Sequence, residues 1–159
     1  MTLEERIVKV LKEKNLLMAC AESCTGGLIA KRVTDVSGSS SVFNCGIVSY
    51  SNEIKEKVLG VKHETLEIYG AVSEQTVREM VAGVLKISGA DIAVAVSGIA
   101  GPLSDNTSKP VGLIWLAVSD GKTTEVKCLN NNFTDDIRNN NRISASDEAF
   151  KMVLQKAGE

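Results

Sequence analysis

Apolar positions along the chain change period several times, and each change marks an element. In "TLEERIVKVLKEKN", Ile7, Val10 and Leu11 recur at helical spacing. Thr2 stands ahead of them as a cap with Glu5 three residues on, the pattern of a capping box, and Asn15 ends the helix. "LLMACA" (16–21) is then continuously apolar, which suits a strand buried on both faces. "TGGLIAKRVTDV" (25–36) returns to helical spacing, "SGSSS" is a loop, and "NCGIVSY" (44–50) is a second strand. "SNEIKEKVLG" (51–60) is a helix with a Ser/Asn start and a Gly60 stop, and "HETLEIYG" adds a helical turn or two.

"SEQTVREMVAGVLKISG" is the clearest amphipathic helix: Ser73 caps it, Val77, Met80, Val81, Val84 and Leu85 form its stripe, and Gly89 closes it. "DIAVAVSG" is a third buried strand. "VGLIWLAVSDGKTTEVKCLN" reads as a hairpin, two β-rich runs joined through Asp120-Gly121. From Thr134 the pattern is helical to the end, with Ala149, Val153 and Leu154 on the inner face. This order predicts an α/β protein, a three-layer α/β/α sandwich on a mixed, mainly parallel sheet. The first three strands should run parallel, and the C-terminal β-hairpin forces at least one antiparallel strand. There is no repeat and no linker, so residues 1–159 read as one domain. The asparagine runs 130–132 and 139–141 read as solvated surface.

Composition narrows the function class. Hydrophobic residues are 43% and charged residues 24% of the 159, the balance of a water-soluble globular protein. A net charge of −2 offers no basic surface for nucleic acid or an anionic membrane. No apolar run reaches the ~18 residues of a membrane span. The charged, helical N-terminus is not a signal peptide, so a cytoplasmic location is expected, with Cys20, Cys24, Cys45 and Cys128 reduced. With no C-x-x-C pair and His63 as the single histidine, no metal site is expected.

Sites in open α/β sheets form beyond the C-terminal strand ends, and three of those ends carry unusual residues. The first runs into Glu22-Ser23-Cys24-Thr25-Gly26-Gly27, the second into Ser49-Tyr50-Ser51-Asn52 with Lys55 on the next helix, and the third into Ser97-Gly98-Ile99-Ala100-Gly101-Pro102. Ser23 at such a corner would lie among unpaired amides suited to a phosphate or an oxyanion, with Gly26 and Gly27 allowing close approach; it could equally be a plain helix cap. As a nucleophile Ser23 needs a base. Lys55, near a helix start and partly buried, is a better candidate than His63 in its charged segment, because both effects disfavour an ammonium. Tyr50 could relay a proton or bind substrate. Cys24 is a rival nucleophile at the same corner. A literal S-x-x-K, Ser119 to Lys122, spans the hairpin turn and is taken as coincidence.

"AESCTGGLIAKRVTDVSGSSSVFNCGIVSYSNEIKEKVLGV", "GAVSEQTVREMVAGV", "AVAVSGIAGP" and "KPVGLIWLAV" resemble the CinA C-terminal domain family over residues 5 to 155. Its characterised members are nicotinamide-nucleotide amidohydrolases. The resemblance implies a three-layer α/β/α fold and deamidation of nicotinamide mononucleotide to nicotinic acid mononucleotide and ammonia. It further implies no cofactor or metal, a small nucleotide as partner, a homo-oligomer, and a stand-alone form without the large N-terminal domain of fused members. It places the nucleophile on Ser23, supported by Tyr50 and Lys55. With the strand-end reading, it makes Cys24, Thr25, Gly26, Gly27, Ser97, Gly98, Gly101 and Arg138 the expected substrate contacts, with the amides of residues 24–26 around the oxyanion.

Two departures accompany the resemblance. "GPLSDNTSKPVG" has no glycine between Pro102 and Lys109, where the family has an acidic residue and two glycines. "FTDDIRNNNR" keeps the arginine pair Arg138 and Arg142, but Asp135 stands where the family has glycine. The alternatives are therefore a catalytically impaired nucleotide-binding or interaction module of the same fold, and an amidase for a different carboxamide.

Overall fold

A computed structural model describes all residues, 1–159. Its elements are α1 (Leu3–Glu13), β1 (Met18–Glu22), α2 (Leu28–Thr34), a short 3-10 turn (Ser39–Ser41), β2 (Phe43–Val48), α3 (Asn52–Leu59), α4 (His63–Tyr69), α5 (Glu74–Ser88), β3 (Ile92–Gly98), β4 (Leu113–Ser119), β5 (Thr124–Asn130) and α6 (Ile137–Lys156). The strands lie in the order β2-β1-β3-β4-β5. β1 pairs in parallel with both β2 and β3, while β4 is antiparallel to both β3 and β5, so β4 alone runs against the other four. The sheet is mixed and mainly parallel, as the helix–strand alternation requires.

Side-chain alternation sorts the core into two layers. Met18 and Cys20 of β1, Val94 and Val96 of β3 and Leu116 of β4 face α1, α2 and α6, where Ile7, Leu11, Ile29, Val33 and Phe150 meet them. Ala19, Ala21, Ala93, Ala95 and Ala117 face the other way, against Leu59, Leu66, Val77, Met80 and Val84 of α3, α4 and α5. Small alanines on this second face let α5 lie close to the sheet. On the first face, Arg32 of α2 ties the layer together: it bonds Glu4 of α1 and Asp147 of α6 at 2.6 and 2.8 Å and stacks over Phe150. No helix is long and apolar enough to cross a membrane.

Local chemistry sets the boundaries. Thr2 and Glu5 form the capping box, and Ser51 and Ser73 cap α3 and α5 through their hydroxyls. α2 begins at Leu28, not at Thr25, because Gly26 and Gly27 take left-handed φ values of 57° and 101° and cannot start a helix. α6 begins at Ile137, not at Thr134, because Asp136 is itself left-handed. β2 stops at Val48, two residues short of the expected Tyr50, where the chain turns its carbonyls toward Lys55. Asn141 is fully buried, contrary to the surface expected for 139–141.

The order β2-β1-β3 makes a switch point. The connection from β1 through α2 covers one face and runs to β2 on one side of β1. The connection from β2 through α3–α5 covers the other face and reaches β3 on the opposite side. The loops leaving β1 and β3 therefore diverge, and a crevice opens between them.

Gly83 gives a test of the α3–α5 contact. A Cβ there would lie 2.0 Å from the Leu59 carbonyl oxygen, backbone against backbone. Helix propensity favours alanine over glycine by ~1 kcal/mol, but overpacking costs ~1–3 kcal/mol and the Leu59 end cannot yield as a side chain would. Gly83→Ala should lower the midpoint of urea unfolding; an unchanged or raised midpoint would refute the close approach.

Candidate active site

The crevice is a cleft of about 220 Å3 whose lining includes Ser23, Cys24, Tyr50, Lys55, Ser97 and Arg138, with residues 98–101 on one wall and Leu103 and Asp105 at its mouth. A larger concavity of about 350 Å3 lies at the opposite end of the sheet between Asp120, Glu125 and Lys156, and no nucleophile faces it.

Ser23 is one residue past β1, held by its amide to the Val96 carbonyl at 3.1 Å and almost fully buried. Lys55 reaches it from α3: Nζ lies 3.0 Å from Ser23 Oγ, 2.8 Å from the Ser49 carbonyl and 3.3 Å from the Tyr50 carbonyl. The lysine is 1% exposed, and desolvation lowers its pKa to about 8. Its partners fix the direction of proton transfer. The two carbonyls can only accept, so a neutral amine gives them its N–H bonds and turns its lone pair to the Ser23 hydroxyl.

Cys24 is buried, and the loss of solvent pushes its thiol up to about 12, so it is not the thiolate a rival nucleophile would need. His63 is exposed at the start of α4, between Glu56 and Glu67 at 2.8 Å each, and does not line the cleft. Ser119 is occupied within the hairpin by Gly121 and Thr124, so the S-x-x-K is a turn.

The corner after Ser23 divides into two parts. The Gly26 amide donates to the Ser23 carbonyl at 3.0 Å, so it is not free for an oxyanion as expected, whereas the Cys24 and Thr25 amides have no protein acceptor. Thr25, Gly26 and Gly27 do not line the cleft, contrary to expectation: Thr25 is fully buried and the two glycines form the left-handed turn into α2. Ser97, Gly98, Gly101, Cys24 and Arg138 do line it.

Tyr50 brings only its carbonyl to Lys55. Its ring is 60% exposed, and its hydroxyl accepts from Arg138 Nη2 at 3.0 Å and makes no bond to Ser23 Oγ or Lys55 Nζ. Arg138 also donates to the Gly101 carbonyl at 2.8 Å. Arg142, four residues on, turns inward to the Cys24 and Thr25 carbonyls at 3.2 and 2.8 Å, and so supports the corner from behind.

Two residues of the site go beyond the sequence reading. Glu22 is fully buried, and its carboxylate accepts from the Ile29 and Ala30 amides at 2.9 and 3.1 Å, capping α2 where Gly27 has no side chain to do so. Asn141 donates to the Ala100 carbonyl at 2.9 Å. A glutamate directly before the nucleophile and an asparagine at i+3 from Arg138 were the available signals. Nowhere do three His, Cys, Asp or Glu side chains gather as metal ligands would.

Comparison with known proteins identifies the family. The family model of the CinA C-terminal domain matches residues 1–157. The chain belongs to the CinA C-terminal domain family. Among curated relatives, a protein of Enterobacter agglomerans named nicotinamide-nucleotide amidohydrolase PncC is 54% identical over 127 residues, 79% of this chain and 77% of that protein. A competence-damage inducible protein of Acetivibrio thermocellus is 51% identical over 98% of this chain, which spans 38% of its length. This chain covers 31% of a similarly named Thermoanaerobacter protein. The crystal structure of the competence/damage inducible protein CihA from Agrobacterium tumefaciens superposes with a TM-score of 0.91 at 40% identity, covering 99% of this chain and 94% of that one. The CinA-superfamily structures thus share the mixed sheet described above.

The buried amine has a stability signature. Its folded pKa lies below the ~10.4 of an exposed lysine, so between about 8 and that value the unfolded chain holds a proton the folded chain has released. Stability should therefore rise with pH across this window. Urea unfolding at pH ~8 and ~10 should show the rise in the wild type and its loss in Lys55→Met, a difference that other titrating groups cancel out of; identical slopes would contradict a depressed Lys55.

Proposed function

We propose that this chain is an amidohydrolase that removes ammonia from the carboxamide of nicotinamide mononucleotide. The observation that carries the reading is the 3.0 Å contact between Ser23 Oγ and a lysine amine whose other partners are backbone carbonyls. The 54% identity to the protein named nicotinamide-nucleotide amidohydrolase supplies the substrate.

Lys55 takes the Ser23 hydroxyl proton as Oγ bonds to the amide carbon, and the carbonyl electron pair moves to oxygen. The Cys24 amide, on the cleft lining and without a protein acceptor, faces the oxyanion. The C–N bond then breaks, the Lys55 ammonium returns its proton to the nitrogen, and ammonia leaves. Water attacks the acyl-serine with Lys55 again taking a proton, which Ser23 Oγ recovers as nicotinic acid mononucleotide departs. No cofactor enters these steps. Arg138, at the mouth beside the exposed Tyr50 ring, is placed to meet the phosphate, with Tyr50 holding the guanidinium rather than moving protons.

In the altered 102–109 loop, Asn106 takes a left-handed φ of 67°. Ammonia release from nicotinamide mononucleotide by the wild type should fall by roughly three or more orders of magnitude in Ser23→Ala. Full activity in the variant would eliminate Ser23 as nucleophile, and bound nucleotide without ammonia from the wild type would favour the module. Because the base must be neutral, kcat/KM should rise about tenfold per pH unit below pH 8 and level off above it. A profile that falls with rising pH over that range would remove Lys55 as base.

A further inference from the structure

Ser97 carries a hydroxyl that the fold itself does not use. It is 1% exposed, lines the cleft, and makes no hydrogen bond to any protein group, whereas Ser49 and Ser73, equally buried near the site, bond backbone. A hydroxyl that lines a cleft and has no protein partner is free to bond a ligand that enters there.

Its position identifies which part of a ligand. Glu22 and Val96 are the last register pair of β1 and β3, and the Ser23 amide continues the ladder to the Val96 carbonyl. Ser23 and Ser97 therefore leave neighbouring strands side by side. Both follow the alternation of Ala21 and Ala95, so both face the α3–α5 layer from which Lys55 comes. On its other side Ser97 pairs with Trp115 of β4. Lys55 contacts Ser23 and two carbonyls but not Ser97, so Ser97 has no base and is not a second nucleophile.

A carboxamide bound for attack by Ser23 has two orientations, related by exchange of its oxygen and nitrogen. The productive one sets the oxygen against the Cys24 amide. The nitrogen, a double donor, then needs an acceptor on the other side of the reacting carbon. We infer that Ser97 Oγ is that acceptor: it takes an N–H of the substrate carboxamide, fixes the oxygen toward the Cys24 amide, and so makes Ser97 the residue that selects an amide over an ester. This inference rests on the amidohydrolase reading of the same cleft.

The test compares nicotinamide mononucleotide with its methyl ester counterpart, which has the same acyl carbon and no N–H, in the wild type, Ser97→Ala and Ser97→Thr. Alanine at 97 continues the Ala93, Ala95 series on this face, so the variant should fold. For Ser97→Ala, kcat/KM on the amide should fall roughly 10- to 100-fold while the ester changes by less than about threefold. Ser97→Thr, which keeps the hydroxyl, should hold the amide-to-ester ratio within about threefold of wild type. An equal loss on both compounds, or no loss on the amide, would overturn the assignment while leaving the amidohydrolase reading intact. A wild type that hydrolyses neither compound would instead overturn that reading, and the assignment with it.

Discussion

The structure around the cleft depends on one buried amine. A lysine with 1% exposure is stable in place only if its nitrogen finds hydrogen-bond partners, and the chain supplies them by ending β2 early. The Ser49 and Tyr50 carbonyls leave the strand ladder and turn to Nζ, and the Ser51 hydroxyl then caps α3 so that Lys55 comes round one turn later on the buried side. The same departure throws the Tyr50 ring outward to the cleft mouth. Strand end, helix start, buried base and exposed ring are thus consequences of one local geometry.

Loops that must hold reacting groups cannot be left to solvent, and here a single helix restrains them. Arg138, Asn141 and Arg142 lie at i, i+3 and i+4 on α6, one face of the helix. Their side chains take the carbonyls of Gly101, Ala100, Cys24 and Thr25. The corner after β1 and the loop after β3 are therefore fastened to one rigid element, across the switch point where they would otherwise diverge. Carbonyls are consumed by this clamp and amides are not, which leaves the Cys24 and Thr25 N–H groups without a protein acceptor.

Much of this was legible in the sequence, for identifiable reasons. Capping residues, Gly60 and Gly89 stops and the three-strand alternation are local signals, and they predict the layers and the edge where the cleft lies. Lys55 was legible because its position in a helix start and its competition with a single histidine left few choices. Partners set by tertiary packing were not legible. Asn141 sits in a run of asparagines that reads as solvent-facing until α6 is docked, and nothing near Tyr50 signals that Arg138, 88 residues away, bonds its hydroxyl. Left-handed φ is also met without glycine, since Asn106 and Asp136 take φ of 67° and 44°. Asparagine and aspartate tolerate that region better than other side chains do.

The placement of Glu22 completes the electrostatic argument. A carboxylate adjacent in sequence to the nucleophile would, if it faced the cleft, attract the Lys55 charge and hold the amine protonated. Strand alternation prevents this. Glu22 shares the face of Cys20, toward α2, while Ser23 falls on the opposite face with Lys55. On its own side the carboxylate is occupied by the Ile29 and Ala30 amides, donors that α2 leaves unsatisfied because its cap is a glycine. Glu22 is thereby committed to holding the corner, and burial outweighs the opposing effect of the Cys24 thiol in lowering the amine. A serine beside a lysine can act at neutral pH only under that condition, and the one-residue step from Glu22 to Ser23 provides it.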